Sequence, residues 1–191
     1  MDIPVWDRKS LNIGSKCALV GKCNGVNGKT TLAKDLIDRS KQYACVVWDR
    51  CEQYTSEFDN VRIFNSNVED LILGLDEGLI LDSCSYPAKS ILTRVMNTGK
   101  NVIYTAPYLV CIDKETRTKF DYWFVWKDKV VSNNARHYHS LFSNYFVSIK
   151  GFLDTIDCLD KYECLVLDKA QGRVFRYKCP MFPCTCPTCS F

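Results

Sequence analysis

The segment Gly21-Lys22-Cys23-Asn24-Gly25-Val26-Asn27-Gly28-Lys29-Thr30-Thr31 carries residue types and spacing that can cradle a phosphate chain. An apolar run ends at Val20 just before it, and an amphipathic stretch follows at once, which is the strand, loop and helix context that a Walker A loop needs. Glycines at 25 and 28 let the backbone turn inward, so the amides of Gly25, Val26, Asn27, Gly28, Lys29, Thr30 and Thr31 can face phosphate oxygens, helped by the positive end of the helix. Lys29 would neutralise the β- and γ-phosphates, and the Thr30 hydroxyl would ligate Mg²⁺. The strict pattern wants a small residue five places before Gly28. Here that place is Cys23, with Gly21 two residues earlier, so either Cys23 substitutes or the loop is longer. The plainer alternative is a glycine-rich turn with an incidental lysine. The pattern speaks for a nucleotide and is silent about its base.

Downstream, Glu77-Gly78-Leu79-Ile80-Leu81-Asp82 is an apolar run ending in a carboxylate, the form of a Walker B strand, which makes Asp82 a second candidate ligand for Mg²⁺. Core strands also end in aspartate, so this run draws its meaning from the loop before it. Cys179, Cys184, Cys186 and Cys189 could together hold Zn²⁺, although one residue between Cys184 and Cys186 departs from the usual paired spacing, and a loose, reduced tail fits that spacing better. His137 and His139 are two apart and cannot easily share a metal on a helix.

These groups need a scaffold. Short apolar runs at Cys17–Val20, Ala44–Trp48, Leu79–Leu81, Val102–Tyr104, Trp123–Trp126 and Cys164–Leu167 read as six buried strands. Helical spacing appears over Thr30–Ser40, Ala88–Met96 and Phe152–Leu159. Strands alternating with helices predict an α/β fold of three layers, a mostly parallel central sheet with helices on both faces. The run Tyr122-Trp123-Phe124-Val125-Trp126 fits a strand buried on both faces better than a base-stacking platform. With no repeat and no composition break before about residue 178, residues 1–178 read as one domain and 179–191 as a cysteine- and proline-rich tail.

A formal charge of +3 is too small to announce a nucleic-acid surface. Lys169, Arg173, Arg176 and Lys178 nevertheless make the last hairpin locally basic, either to face DNA phosphates or to guard a sheet edge. No run approaches the roughly 20 apolar residues of a membrane span, and the first residues lack a secretory pattern. Cysteines inside apolar runs, such as Cys17, Cys45 and Cys164, point to an intracellular, reducing compartment.

Taken together, the phosphate loop, Leu81-Asp82-Ser83-Cys84-Ser85-Tyr86-Pro87, Met96-Asn97-Thr98-Gly99-Lys100, Arg117-Thr118-Lys119-Phe120-Asp121-Tyr122-Trp123-Phe124 and the closing strands Tyr162–Asp168 and Arg173–Lys178 resemble, in order, the genome-packaging ATPases of poxviruses and giant viruses, within the FtsK/HerA superfamily. The resemblance implies a P-loop ATPase closed by a C-terminal β-hairpin. It further implies an ATP- and Mg²⁺-dependent motor acting on double-stranded DNA as a homo-oligomeric ring, working with capsid proteins at sites of virus assembly, in host cytoplasm or nucleus, or in the virion. It also implies Thr105 as the γ-phosphate sensor and Arg117 as the arginine given to a neighbouring subunit's site. Where the family has a second carboxylate after Asp82, this chain has Ser83, a poor base. Two alternatives therefore stand beside the motor: a nucleotide-binding structural subunit with little turnover, and a small P-loop kinase, for which no arginine-rich lid is visible.

Overall fold

Val, Ile, Leu and aromatic side chains dominate the strands because strands buried on both faces must be apolar throughout. The computed structural model describes residues 3–7, 9, 11, 14–21, 28–39, 45–49, 61–64, 78–82, 89–127, 131 and 134–180. Among them, β1 (Lys16–Val20), β2 (Cys45–Asp49), β3 (Val61–Phe64), β4 (Gly78–Asp82), β5 (Val102–Ala106), β6 (Tyr122–Trp126), β7 (Glu163–Asp168) and β8 (Arg173–Lys178) form one sheet in the order β3-β2-β4-β5-β1-β6-β7-β8. β1 to β6 are mutually parallel, and β7 and β8 pair antiparallel as a terminal hairpin. The α-helices whose bounds lie among the described residues are α1 (Lys29–Arg39), α2 (Lys89–Met96), α3 (Lys114–Thr118), α4 (Ala135–Phe142) and α5 (Ile149–Asp157).

Alternation along each strand divides the core in two, as a period of two requires. Ala18, Val20, Tyr104, Trp123, Val125, Leu165 and Leu167 pack with Leu92, Val95, Tyr138, Phe142, Phe152 and Ile156 of α2, α4 and α5. Cys17, Leu19, Phe124, Cys164 and Val166 pack with Leu32, Ala33 and Leu36 of α1 on the other face. The three-layer expectation and the doubly buried Tyr122–Trp126 strand both hold.

Among the described residues, two helices, α3 and α4, and one strand, β3, exceed the expectation. α3 is five residues long, started by Asp113, whose carboxylate accepts from the amides of Glu115 and Thr116 at 3.1 Å each. α4 buries Ala135, Tyr138 and Phe142 on one face. Its His139 is half-buried, with its Nε2 2.9 Å from the carbonyl of Phe146, whereas His137 is exposed. The chain's start also joins the sheet: Arg176 donates its amide to Pro4 O and Trp6 donates its own to Arg176 O, both at 2.8 Å. This seats Trp6 against Tyr122, Phe124 and Tyr177.

Candidate nucleotide-binding site

Parallel strands present their carboxyl ends together, and the crevice there is where an open α/β sheet receives a ligand. β1 lies between β5 and β6, and the chain leaves its carboxyl end into the glycine-rich loop. Gly21 donates its amide to Ala106 O at 3.1 Å, pinning the start of the loop to the end of β5. Its far end is Gly28, at φ +86°, in the left-handed region that glycine alone adopts freely. Gly28 O accepts from Leu32 N at 2.7 Å, the first turn of α1.

Lys29 is buried, and its Nζ donates to Gly21 O, bridging the two ends of the loop. Thr30 and Thr31 are half-buried in the first turn of α1. The other loop residues named from sequence, Gly25, Val26 and Asn27, with Cys23, lie outside the described residues.

The acidic strand lies one strand away. β5 separates β1 from β4, and the register sets Asp82 opposite Thr105, which is opposite Leu19. On the outer side Asp82 is opposite Asp49, the last residue of β2. Asp49, Asp82 and Thr105 thus form one row across β2, β4 and β5 at the carboxyl edge. Thr105 is buried. At a strand spacing of about 4.8 Å, Asp82 sits roughly 10 Å from β1 across β5. A threonine hydroxyl and a carboxylate are hard oxygen donors, the chemistry Mg²⁺ selects, so Thr30 and Asp82 fit that ion.

Arg117 is elsewhere. α3 precedes the amino end of β6, and β6 runs parallel to β1 with Tyr122 opposite Cys17, so Arg117 lies toward the opposite edge of the sheet from Lys29. A five-residue strand separates the two edges by about 16 Å. Arg117 Nε donates to Ile112 O at 2.7 Å, and burial lowers its pKa. The residue is not part of the loop's own site.

Cys179 is buried against the loop, its Sγ donating to Gly28 O at 3.7 Å. Burial first, and then the neighbouring Cys179 sulfur, to which it donates, push the Cys164 thiol well up. Cys184, Cys186 and Cys189 lie outside the described residues, and no group of three metal-ligating side chains occurs among those described.

Three residues that sequence reasoning did not connect with the loop crowd Gly28. A Cβ there would lie 3.1 Å from Trp126 Nε1, 3.5 Å from Cys179 Sγ and 3.5 Å from Tyr162 Cδ1. Gly28→Ala therefore meets both a left-handed backbone and a closed contact, together about 1–3 kcal/mol. Thermal denaturation of this variant is expected to show a midpoint lowered by several degrees, and an unchanged midpoint counts against the packing described.

A loop ending in Gly-Lys-Thr between a central parallel strand and its helix, with an acid-tipped strand one removed, defines a P-loop NTPase fold. No family model matches the sequence, and no curated protein does. Among solved structures, the chain is similar to the genome packaging NTPase B204 from Sulfolobus turreted icosahedral virus 2 in complex with AMPPCP, with a TM-score of 0.62, 14% identity, and coverage of 89% of this chain and 100% of that one. The ATP-gammaS complex of the same protein gives 0.61 at 15% identity over 88% and 98%. B204, the DNA-packaging ATPase from Sulfolobus turreted icosahedral virus, gives 0.63 at 14% identity over 90% and 100%. The chain has the fold of these viral packaging NTPases.

Proposed function

We propose that this chain is the ATP-hydrolysing motor subunit that drives double-stranded viral DNA into a capsid. The observation that carries the reading is the buried Lys29 spanning the loop from Gly21 to α1, with the row Asp49, Asp82 and Thr105 beside it. Its support from outside the chain is the fold shared with packaging NTPases solved with AMPPCP and ATP-gammaS.

In this reading the loop amides and Lys29 hold the phosphates, and Thr30 and Asp82 hold Mg²⁺, which supplies charge neutralisation at the β- and γ-phosphates. Thr105 senses the γ-phosphate. Asp49, the register partner of Asp82, supplies the second carboxylate that Ser83 lacks, accepting the proton of the attacking water. Arg117, remote from its own loop, acts on a neighbouring subunit's site within a homo-oligomeric ring. That ring encircles DNA and works with capsid proteins at sites of virus assembly in a reducing compartment.

The test is steady-state ATP hydrolysis with and without duplex DNA, beside the oligomeric state at high concentration. Rings whose turnover rises with DNA are expected. A strict monomer indifferent to DNA would sink the motor. Tight ATP binding with negligible turnover would favour the structural subunit, the reading that Ser83 suggests.

A further inference from the structure

We propose that the cleft on the hairpin side of the phosphate loop is the nucleoside half of the site, and that it holds the base by stacking without reading its edge. The inference rests on the reading of Gly28 to Thr30 as a triphosphate cradle. That cradle has two flanks. The acids occupy the β5, β4 and β2 flank, so the reactive end of a triphosphate points there. Its nucleoside end must then leave across β6 and β7.

A cleft of about 380 Å³ lies on that side, lined by Trp126, Lys127, Asp160, Lys161, Tyr162 and Glu163 among others. It begins at the loop itself, because Trp126 and Tyr162 are the two aromatics that close on Gly28. The Trp126 indole N–H is buried and has no hydrogen-bond partner among the described residues. Trp6 and Trp123 share that deficit, but neither borders this cleft. A buried donor next to a phosphate cradle calls for an acceptor, and a phosphate or ribose oxygen supplies one. Tyr162 is held at φ +64°, a conformation that costs energy for a bulky side chain and tends to persist where function needs it.

The polar groups around the cleft are engaged with this chain's own atoms. Asp160 Oδ2 accepts from Lys178 at 3.0 Å, Glu163 Oε2 from Arg176 at 2.7 Å and from Asp160 N at 2.9 Å, and Lys127 Nζ donates to Asp157 O. Lys161 Nζ stands 5.3 Å from the Tyr162 ring centroid. Strong discrimination between bases needs dedicated hydrogen-bonding groups, whereas the side chains here are paired with the chain itself, mostly at exposed positions. What the cleft offers a base is aromatic surface, which every base can use.

The test is calorimetric titration of the full chain, with Mg²⁺, against ATP, GTP, CTP, UTP and inorganic tripolyphosphate. The four nucleotides are expected to bind within about fivefold of one another, and roughly ten- to a hundredfold tighter than tripolyphosphate, the increment that stacking supplies. Tyr162→Ala should bring the ratio of nucleotide to tripolyphosphate affinity down toward one, while Tyr162→Phe keeps that ratio. Nucleotides no tighter than tripolyphosphate, or a preference for one base above a hundredfold, would overturn the inference and leave the phosphate loop standing. Failure of nucleotide and tripolyphosphate alike would overturn both. Photolabelling with 8-azido-ATP needs no variant: label on the Asp160–Glu163 peptide is expected, and label confined to other peptides rules the cleft out.

Discussion

Lys29→Ala is expected to lower ATP turnover by about 10²- to 10³-fold, the usual cost of removing one preorganised group from developing phosphate charge. Lys29 is held inside the loop by its bond to Gly21 O, so bound phosphate needs only to exchange one acceptor for another. Alanine leaves the left-handed turn at Gly28 and the start of α1 in place, since neither depends on the ammonium. The loss should therefore fall on nucleotide affinity and turnover while the thermal midpoint without nucleotide moves little. Turnover within threefold of the unmodified chain would mean that the loop is a structural turn.

Asp49→Asn is expected to separate binding from chemistry. Asparagine keeps the size of the residue at the end of β2 and removes its capacity to take a proton, so turnover should fall about 10²- to 10⁴-fold, the range for a positioned general base. Magnesium-ATP affinity should change little, because Lys29, Thr30 and Asp82 are untouched. Nucleotide extracted from the variant after incubation with ATP should be ATP, whereas the unmodified chain should yield ADP. If Asp49→Asn turns over normally, the base lies elsewhere. If it loses nucleotide binding as well, the residue belongs with the metal ligands.

How much of this was legible in the sequence depended on whether the signal was local. Gly28, Lys29 and Thr30 are adjacent, and their geometry is that of one turn, so they could be read directly. The six predicted strands stood out as unbroken apolar runs. β3 did not, because Val61-Arg62-Ile63-Phe64 is four residues interrupted by an arginine. α4 was missed although Ala135, Tyr138 and Phe142 share its buried face, because His137 and His139 fall between them and draw the eye to polarity.

Strand order is not local at all. That Asp49 stands opposite Asp82, and that Arg117 belongs to the far edge of the sheet, follows only from the pairing of β2 with β4 and of β6 with β1. The ring around Gly28 is the extreme case, since Cys179 reaches it across 151 residues of chain and Tyr162 through a backbone angle that no aromatic residue advertises.

The seat of Trp6 beside β8 also governs the order in which the molecule can be completed. On the ribosome the strap at Pro4 to Trp6 is made long before Arg176 and Tyr177, which receive it. Until then the indole has nowhere to dock against Tyr177, and the edge of β8 that it covers does not exist. The strap and the β7–β8 hairpin therefore come together as a late, long-range step, the kind of contact that slows folding because so much intervening chain must already be ordered.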